Sequence, residues 1–248
     1  AGEGATTSLE SMQIPVSQIT SVFITHWHSD HFNGLGPLLN YGWIWGRHQP
    51  VDLYGPPGVE AVLQGLSQAY AIDQGFRSAH VHAGTHAALG VAHPVVIPPG
   101  QHTVRVYAQD GITIDAQRVS HLPVEPAYGY VIQYRGKKVF ISGDTKVDPV
   151  YLPALQNADL VVHEAVKADL VHRGAQAMRR HGLESRAQMA EQITDYHADT
   201  LALARMAQEA QVKHLVLTHL IPSPSDFLTR KMFVQGMSSL YRGEITVG

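Results

Sequence analysis

Thr25-His26-Trp27-His28-Ser29-Asp30-His31 carries the most distinctive chemistry in the chain. Three imidazoles and a carboxylate fall between positions 26 and 31, directly after Ile19-Thr20-Ser21-Val22-Phe23-Ile24, a β-branched run that reads as a buried strand. Zinc takes imidazole nitrogens and carboxylate oxygens at about 2.0–2.2 Å, and two-metal hydrolases hold their cations about 3.5–4 Å apart. Four such donors on one tight loop reach two cations more naturally than one. The spacing suggests His26 and His28 on one metal, with Asp30 and His31 on the other.

Composition narrows the alternatives. With 248 residues, 44% of them hydrophobic, the chain suits one globular α/β domain over 1–248, or two halves sharing a core. A formal charge of −3 gives no global basic field of the kind that nucleic-acid binders carry. Without cysteine there are no disulfides, thiolate zinc sites or cysteine nucleophiles, and the redox compartment stays open. Sixteen histidines, clustered at 26–31, 80–102, 163–181 and 214–219, favour a metal site. No run of about 18 apolar residues occurs, so the expectation is a soluble protein with no membrane span. The chain opens at Ala1-Gly2-Glu3-Gly4 without a methionine, which predicts a natural N-terminus, and any targeting segment, upstream.

Outward from the histidine loop, Val51 to Tyr54 reads as a strand. Val59, Leu63, Leu66 and Tyr70 recur at helical spacing behind Pro57. Residues 73–102 show no periodicity and read as a loop or insertion; His80, His82, His86 and His93 within it are spaced too irregularly for a second metal site. Trp43 and Trp45 read as packing residues at a strand entry. Strands are predicted at 103–107, 112–119, 128–134 and 137–142, with Arg135-Gly136 as a hairpin turn. Further strands at 159–162 and 212–218 alternate with helices near 185–195, 199–211 and 225–235, and 167–187 is polar and basic. Strand runs broken by helices indicate layered α/β architecture.

Thr-His-x-His-x-Asp-His-x-x-Gly, followed by Leu35-Gly36, resembles the signature of the metallo-β-lactamase superfamily. Phe140-Ile141-Ser142-Gly143-Asp144-Thr145 is similar to that superfamily's strand ending in a bridging aspartate. His121 in Ser120-His121-Leu122-Pro123 matches its third histidine, and His219 in Leu217-Thr218-His219 its last. The resemblance implies a four-layer αβ/βα sandwich. It assigns His26, His28, His121 and Asp144 to a first metal, and Asp30, His31, Asp144 and His219 to a second. The implied cofactor is two Zn2+, with Mn2+ or Fe2+ as alternatives.

Within the superfamily the chain resembles the ribonuclease Z branch. Val162-His163-Glu164-Ala165 is similar to that branch's His-Glu-Ala-Thr motif, with Val166 as a departure, and His197-Ala198-Asp199-Thr200 to its histidine before an Ala-rich helix. Ala1-Gly2-Glu3-Gly4-Ala5-Thr6 resembles the end of that branch's Asp-x-Gly-Glu-Gly-Thr strand, which implies that the first strands of the fold lie upstream of residue 1. The resemblance gives Asp30 a catalytic place beside the metals, makes His197 the general acid and makes Glu164 its orienting carboxylate. It implies a hydrolase using a metal-bridging hydroxide on phosphodiesters. β-Lactams, lactones or other carbonyl substrates form the second reading, and a non-catalytic zinc protein the third. Asp144 follows His121 by only 23 positions, which leaves no room for the long arm that grips tRNA in many ribonuclease Z enzymes. A tRNA partner is thereby disfavoured, and a small-molecule or phosphodiester substrate expected, with homo-oligomerisation open. Lys167, Arg173, Arg179, Arg180 and Arg186 read as a solvated basic stretch before a substrate contact.

Overall fold

A computed structural model describes residues 1–80 and 89–248, which form two compact units, Ala1–Val96 and Ile97–Gly248. In the first, α1 (Ala5–Ser11) precedes β1 (Ser21–Phe23), the one-turn α2 (Ser29–Phe32) and α3 (Leu35–Ile44). Next come β2 (Val51–Gly55), α4 (Val59–His80) and β3 (Gly90–Pro94). The strands form a parallel sheet in the order β1-β2-β3, with Val22 opposite Leu53 and Leu53 opposite Ala92. Parallel neighbours need crossovers long enough for a helix, and α3 and α4 supply them. Leu35, Leu38 and Leu39 of α3 and Val59 and Leu63 of α4 close over Val22, Ile24, Val51 and Leu53 in one buried cluster.

The second unit is a seven-stranded sheet, ordered β10-β9-β8-β7-β6-β5-β4, built from β4 (Thr103–Gln109), β5 (Ile112–Arg118), β6 (Tyr128–Tyr134), β7 (Lys137–Ile141), β8 (Leu160–Val166), β9 (His214–Ile221) and β10 (Glu244–Val247). β4 to β7 run antiparallel, turning at Asp110-Gly111 and Arg135-Gly136. All four turn residues have φ between 48° and 77°, the left-handed geometry that a two-residue hairpin requires. From β7 onward the pairing is parallel. β8 is accordingly apolar and buried along most of its length, as a strand covered on both faces must be. Helices α5 (Leu152–Leu155), α6 (Ala168–Arg180), α7 (Glu184–Ile193), α8 (Thr200–Glu209) and α9 (Phe227–Phe233) complete the unit. Leu203 and Ala207 of α8 pack with Phe140, Val161, Leu215 and Leu217. Asp199 caps α8, accepting from the Leu201 and Ala202 amides, and Asp226 and Thr229 form a capping box on α9.

Four expectations need correction. The segment read as a loop from 73 onward is helix through His80 and strand at Gly90–Pro94, while 81–88, with His82 and His86, lie outside the described residues. The apolar stripe fades after Tyr70 because the buried position one turn on is Gln74. Good helix formers and an Asp73–Arg77 pair at 3.0 Å carry α4 forward. His93 is bonded to Asp52, with Nε2 2.7 Å from Oδ1. Within the basic stretch 167–187 runs α6, an amphipathic helix whose buried residues are Val171 and Ala175. Ala1-Gly2-Glu3-Gly4 is not strand but leads into α1, and Trp43 and Trp45 close α3 instead of entering a strand; Trp43 packs on the core and Trp45 is exposed. No described helix is long and apolar enough to cross a membrane.

Candidate metal centre

In the first unit the chain leaves β1 through Ile24, whose amide still donates to the Tyr54 carbonyl, and enters the histidine loop. His26 is fully buried, with Nδ1 3.2 Å from the Thr25 hydroxyl. Its ring centroid lies 4.9 Å from that of His28 and 4.1 Å from that of His31. The single turn of α2 brings Asp30 and His31 together, with Oδ2 and Nε2 3.3 Å apart. His28 and Asp30 are exposed and His31 is half-buried. Glycines back this loop: a Cβ on Gly2 would stand 2.4 Å from the Asp30 carbonyl oxygen, and one on Gly34 would stand 2.0 Å from the Gly2 carbonyl oxygen. Only hydrogen side chains permit those approaches.

The second unit draws two donors from just past strands and a third from a bulge within one. His121 lies just past β5, buried, and its Nδ1 donates to the Tyr196 carbonyl at 3.1 Å. A carbonyl can only accept, so the ring's lone pair is on Nε2, the arrangement by which a second contact orients a metal-binding imidazole. Asp144 follows β7 through Gly143, whose φ of 61° turns the chain sharply. His219 sits in β9 at φ 45°, where the ladder to β8 skips it: Glu164 pairs with Thr218 and Ala165 with Leu220. Such a bulge re-aims one side chain out of the strand's alternation. His121 Nε2 and His219 Nε2 then lie 3.9 and 3.7 Å from the same Asp144 oxygen, Oδ2.

These groups fit divalent cations. Donors on one tetrahedral cation at about 2.1 Å stand about 3.4 Å from one another, close to the two separations observed. A carboxylate oxygen between two imidazole nitrogens suits a shared ligand, and every donor is nitrogen or oxygen, as zinc and its hard neighbours accept. Donor atoms of Asp144, His197 and His219 also lie within 4.8 Å of one another.

Beside them stands a buried pair. Glu164 Oε1 accepts from His197 Nδ1 at 2.8 Å, from the Thr145 amide at 3.0 Å and from the Ala198 amide at 3.2 Å. Burial and the neighbouring Asp144 carboxylate push the Glu164 carboxyl well above the ordinary range, and the two amides pull it back. With Nδ1 engaged, His197 presents Nε2; its ring stacks on that of His219 at 5.6 Å, 14° from parallel. His163, on the same strand, is fully buried. Its Nδ1 contacts the Glu164 carbonyl at 2.7 Å and its Nε2 the Tyr151 hydroxyl at 3.2 Å, and burial lowers it to about 4.

The basic stretch is largely neutralised. Arg179 forks onto Glu191 with two bonds of 2.6 Å and reaches Glu184 at 3.1 Å, Arg173 pairs with Asp169 at 3.6 Å, and Lys167 is buried against the Gln235 carbonyl. Arg180 and Arg186 stand outside these pairs. Between His121 and Asp144, where every residue is described, β6 and β7 join by a two-residue turn and no long arm protrudes. Sequence reasoning missed Thr145, Ser120 and Tyr196, which hold the donors in place. Thr145 directly follows the aspartate, but a lone hydroxyl in a motif carries no pattern that announces its partners.

Comparison with known proteins adds family. The family model described as "Anti-Pycsar protein Apyc1" matches residues 1–221. A protein named ribonuclease Z from Mycobacterium sp. strain KMS is 30% identical over 224 residues, 89% of this chain and 72% of that protein. Among solved structures, the metallo-β-lactamase fold protein YhfI from Bacillus subtilis superposes with a TM-score of 0.68 at 19% identity, covering 100% of this chain and 82% of the other. The short form of human tRNase Z superposes with a TM-score of 0.64 at 24% identity, covering 100% and 83%. At those identities the two structures show the fold: mixed α/β, of the metallo-β-lactamase type.

Proposed function

We propose that this chain, which belongs to the family of the anti-Pycsar protein Apyc1 within the ribonuclease Z-like branch of the metallo-β-lactamase superfamily, hydrolyses phosphodiesters smaller than a folded tRNA, using two divalent cations, zinc in the first instance with manganese or iron as alternatives. The proposed ligand set is that of the resemblance: His26, His28, Asp30, His31, His121, Asp144 and His219. The observation that carries the reading is Asp144 Oδ2 flanked by the Nε2 atoms of His121 and His219 at 3.9 and 3.7 Å.

When bound, such cations supply Lewis acidity, activating a water for attack and offsetting charge on the phosphoryl oxygens. The protein's own part begins with geometry. The Tyr196 carbonyl fixes the His121 tautomer, and the bulge at His219 holds that ring toward Asp144. His197 would deliver a proton from Nε2 to the departing ester oxygen, because Glu164 fixes Nδ1 and supports the imidazolium that precedes transfer. The exposed Asp30 would stand on the substrate side of the set. A small phosphodiester is favoured over a duplex RNA because gripping phosphates along a duplex takes several free cations, and α6 pairs most of its own.

Turnover of bis(p-nitrophenyl) phosphate, measured beside a chromogenic β-lactam with and without chelator, tests this. The expected result is chelator-sensitive phosphodiester cleavage, restored by added metal, with no β-lactam turnover. β-Lactam turnover alone would favour carbonyl chemistry. A chelator-sensitive melting temperature with neither activity would leave a zinc-binding protein without catalysis.

A further inference from the structure

His121 and Asp144 follow β5 and β7, which are not neighbours: β6 lies between them. Strands two places apart in a sheet are separated by about 9–10 Å, yet His121 Nε2 and Asp144 Oδ2 lie 3.9 Å apart. No ladder hydrogen bond joins β5 to β7 directly, so contacts outside the sheet set how the loops that follow these two strands meet.

We propose that Thr145 is the positioning residue that does so, its hydroxyl clamping the His121 loop onto the Asp144 loop and thereby setting the affinity of the metal centre. The inference rests on the two-cation reading above and adds a residue to it. Thr145 is fully buried. Its Oγ1 accepts from the Ser120 amide at 3.0 Å, and its own proton has the Lys146 carbonyl at 2.8 Å and the Ser120 carbonyl at 3.3 Å within reach. The Lys146 amide donates to the Ser120 carbonyl at 3.0 Å, so the loops are joined on both sides of the hydroxyl. Ser120 Oγ adds a bond of 2.5 Å to Asp148.

The clamp reaches further through the Thr145 amide, which donates to Glu164 Oε1 at 3.0 Å, the oxygen that also holds His197. Thr145 therefore borders one proposed ligand in sequence, touches the neighbour of a second, and shares an acceptor with the proposed acid. A hydroxyl is required because the position needs an acceptor for one amide and a donor for a carbonyl at one atom. Valine has the same shape and neither capacity.

The test compares the wild-type chain with Thr145→Val and Thr145→Ser by competitive zinc titration against a chromophoric chelator, alongside melting temperatures with and without zinc. Loss of an outer contact that orients a ligand typically weakens metal binding about 10–100-fold. Thr145→Val is expected to show that loss and a smaller zinc-induced rise in melting temperature. Thr145→Ser, which keeps the hydroxyl, should stay within about threefold of the wild type, well short of that loss. If the Val variant does not fold, Thr145→Ala removes the same hydroxyl without its bulk and is measured in its place. A purely structural role would lower the metal-free melting temperature and leave zinc affinity unchanged, and that result overturns the inference. A wild-type chain that holds no zinc overturns this inference and the two-cation reading together; tight binding by wild type and hydroxyl-less variants alike overturns this one alone.

Discussion

In the first unit, four donors between His26 and His31 ride on one loop and one helical turn, and two of them are exposed; in the second, His121 and Asp144 follow two different strands and His219 sits at a bulge in a third, with the Tyr196 carbonyl orienting His121 and the Ser120–Thr145 bond joining its loop to that of Asp144. The first arrangement is local. Its geometry follows from the backbone of a few consecutive residues, backed by close approaches at Gly2 and Gly34 and by the Pro57 carbonyl, which accepts from Trp27 Nε1 at 3.1 Å. The second depends on sheet order, a bulge and a clamp, so it should be the more easily broken by changes that touch no ligand.

Breaking the shared carboxylate gives the largest expected effect. Asp144→Asn should lower phosphodiester turnover by about three orders of magnitude or more, since members of one catalytic unit fail together, and excess metal should not restore it. His28→Ala, on the exposed loop, should by contrast be partly rescued by excess metal. Equal insensitivity of both variants to added metal would erase the distinction between the two clusters.

His197→Ala comes next, with turnover expected to fall about 10²–10⁴-fold while metal content is unchanged. The loss should be steeper for substrates with poor leaving groups than for p-nitrophenyl esters, because a good leaving group needs no proton. A uniform loss across leaving groups would remove His197 from the role of acid.

A third effect concerns folding stability. Burial lowers His163 to about 4, below the value of about 6.5 that an unfolded chain gives it. As pH falls the unfolded state binds its proton first, so the stabilisation is complete above about pH 6.5 and is lost progressively toward about pH 4. The loss is on the order of 3 kcal/mol for a shift of that size. Urea unfolding at pH 7 and pH 4.5 should show it, and His163→Gln should flatten the difference. A wild-type stability that does not change between those two pH values would contradict the buried neutral imidazole.

The smallest effect is expected at the far end of the sheet, where the Lys213 ammonium, the Lys138 amide and the Lys137 ammonium hold Asp159 well below the usual carboxylate range. This contribution is present above about pH 4 and fades as pH falls through the depressed folded value. Because the ammonium groups are exposed, Asp159→Asn should shift the acid-unfolding midpoint only slightly, and less at high salt.

How much of this was legible follows the same division. The strand before the histidine loop and the Arg135-Gly136 hairpin turn are local patterns, and their reading agrees with the structure to within a few residues. Asp144 and His219 are singled out as candidates by the company they keep in sequence, although the bulge that aims His219 leaves no sequence mark. α3 was missed because it is apolar on nearly every side, α6 because only Val171 and Ala175 are buried among its charged residues, and β10 because it is four residues long with none buried. The helical continuation of α4 was hidden by a buried Gln74. Thr145 shows the limit most plainly: its importance lies in an amide 25 positions away, and sheet order alone brings that amide near.

The central claim is that the chain holds a pair of catalytic divalent cations, and metal stoichiometry tests it most directly. Equilibrium dialysis of the wild-type chain against zinc, followed by elemental analysis, should give two equivalents per chain, falling to one or fewer in Asp144→Asn. Less than one equivalent in the folded wild type, or two equivalents undiminished in Asp144→Asn, would contradict the account.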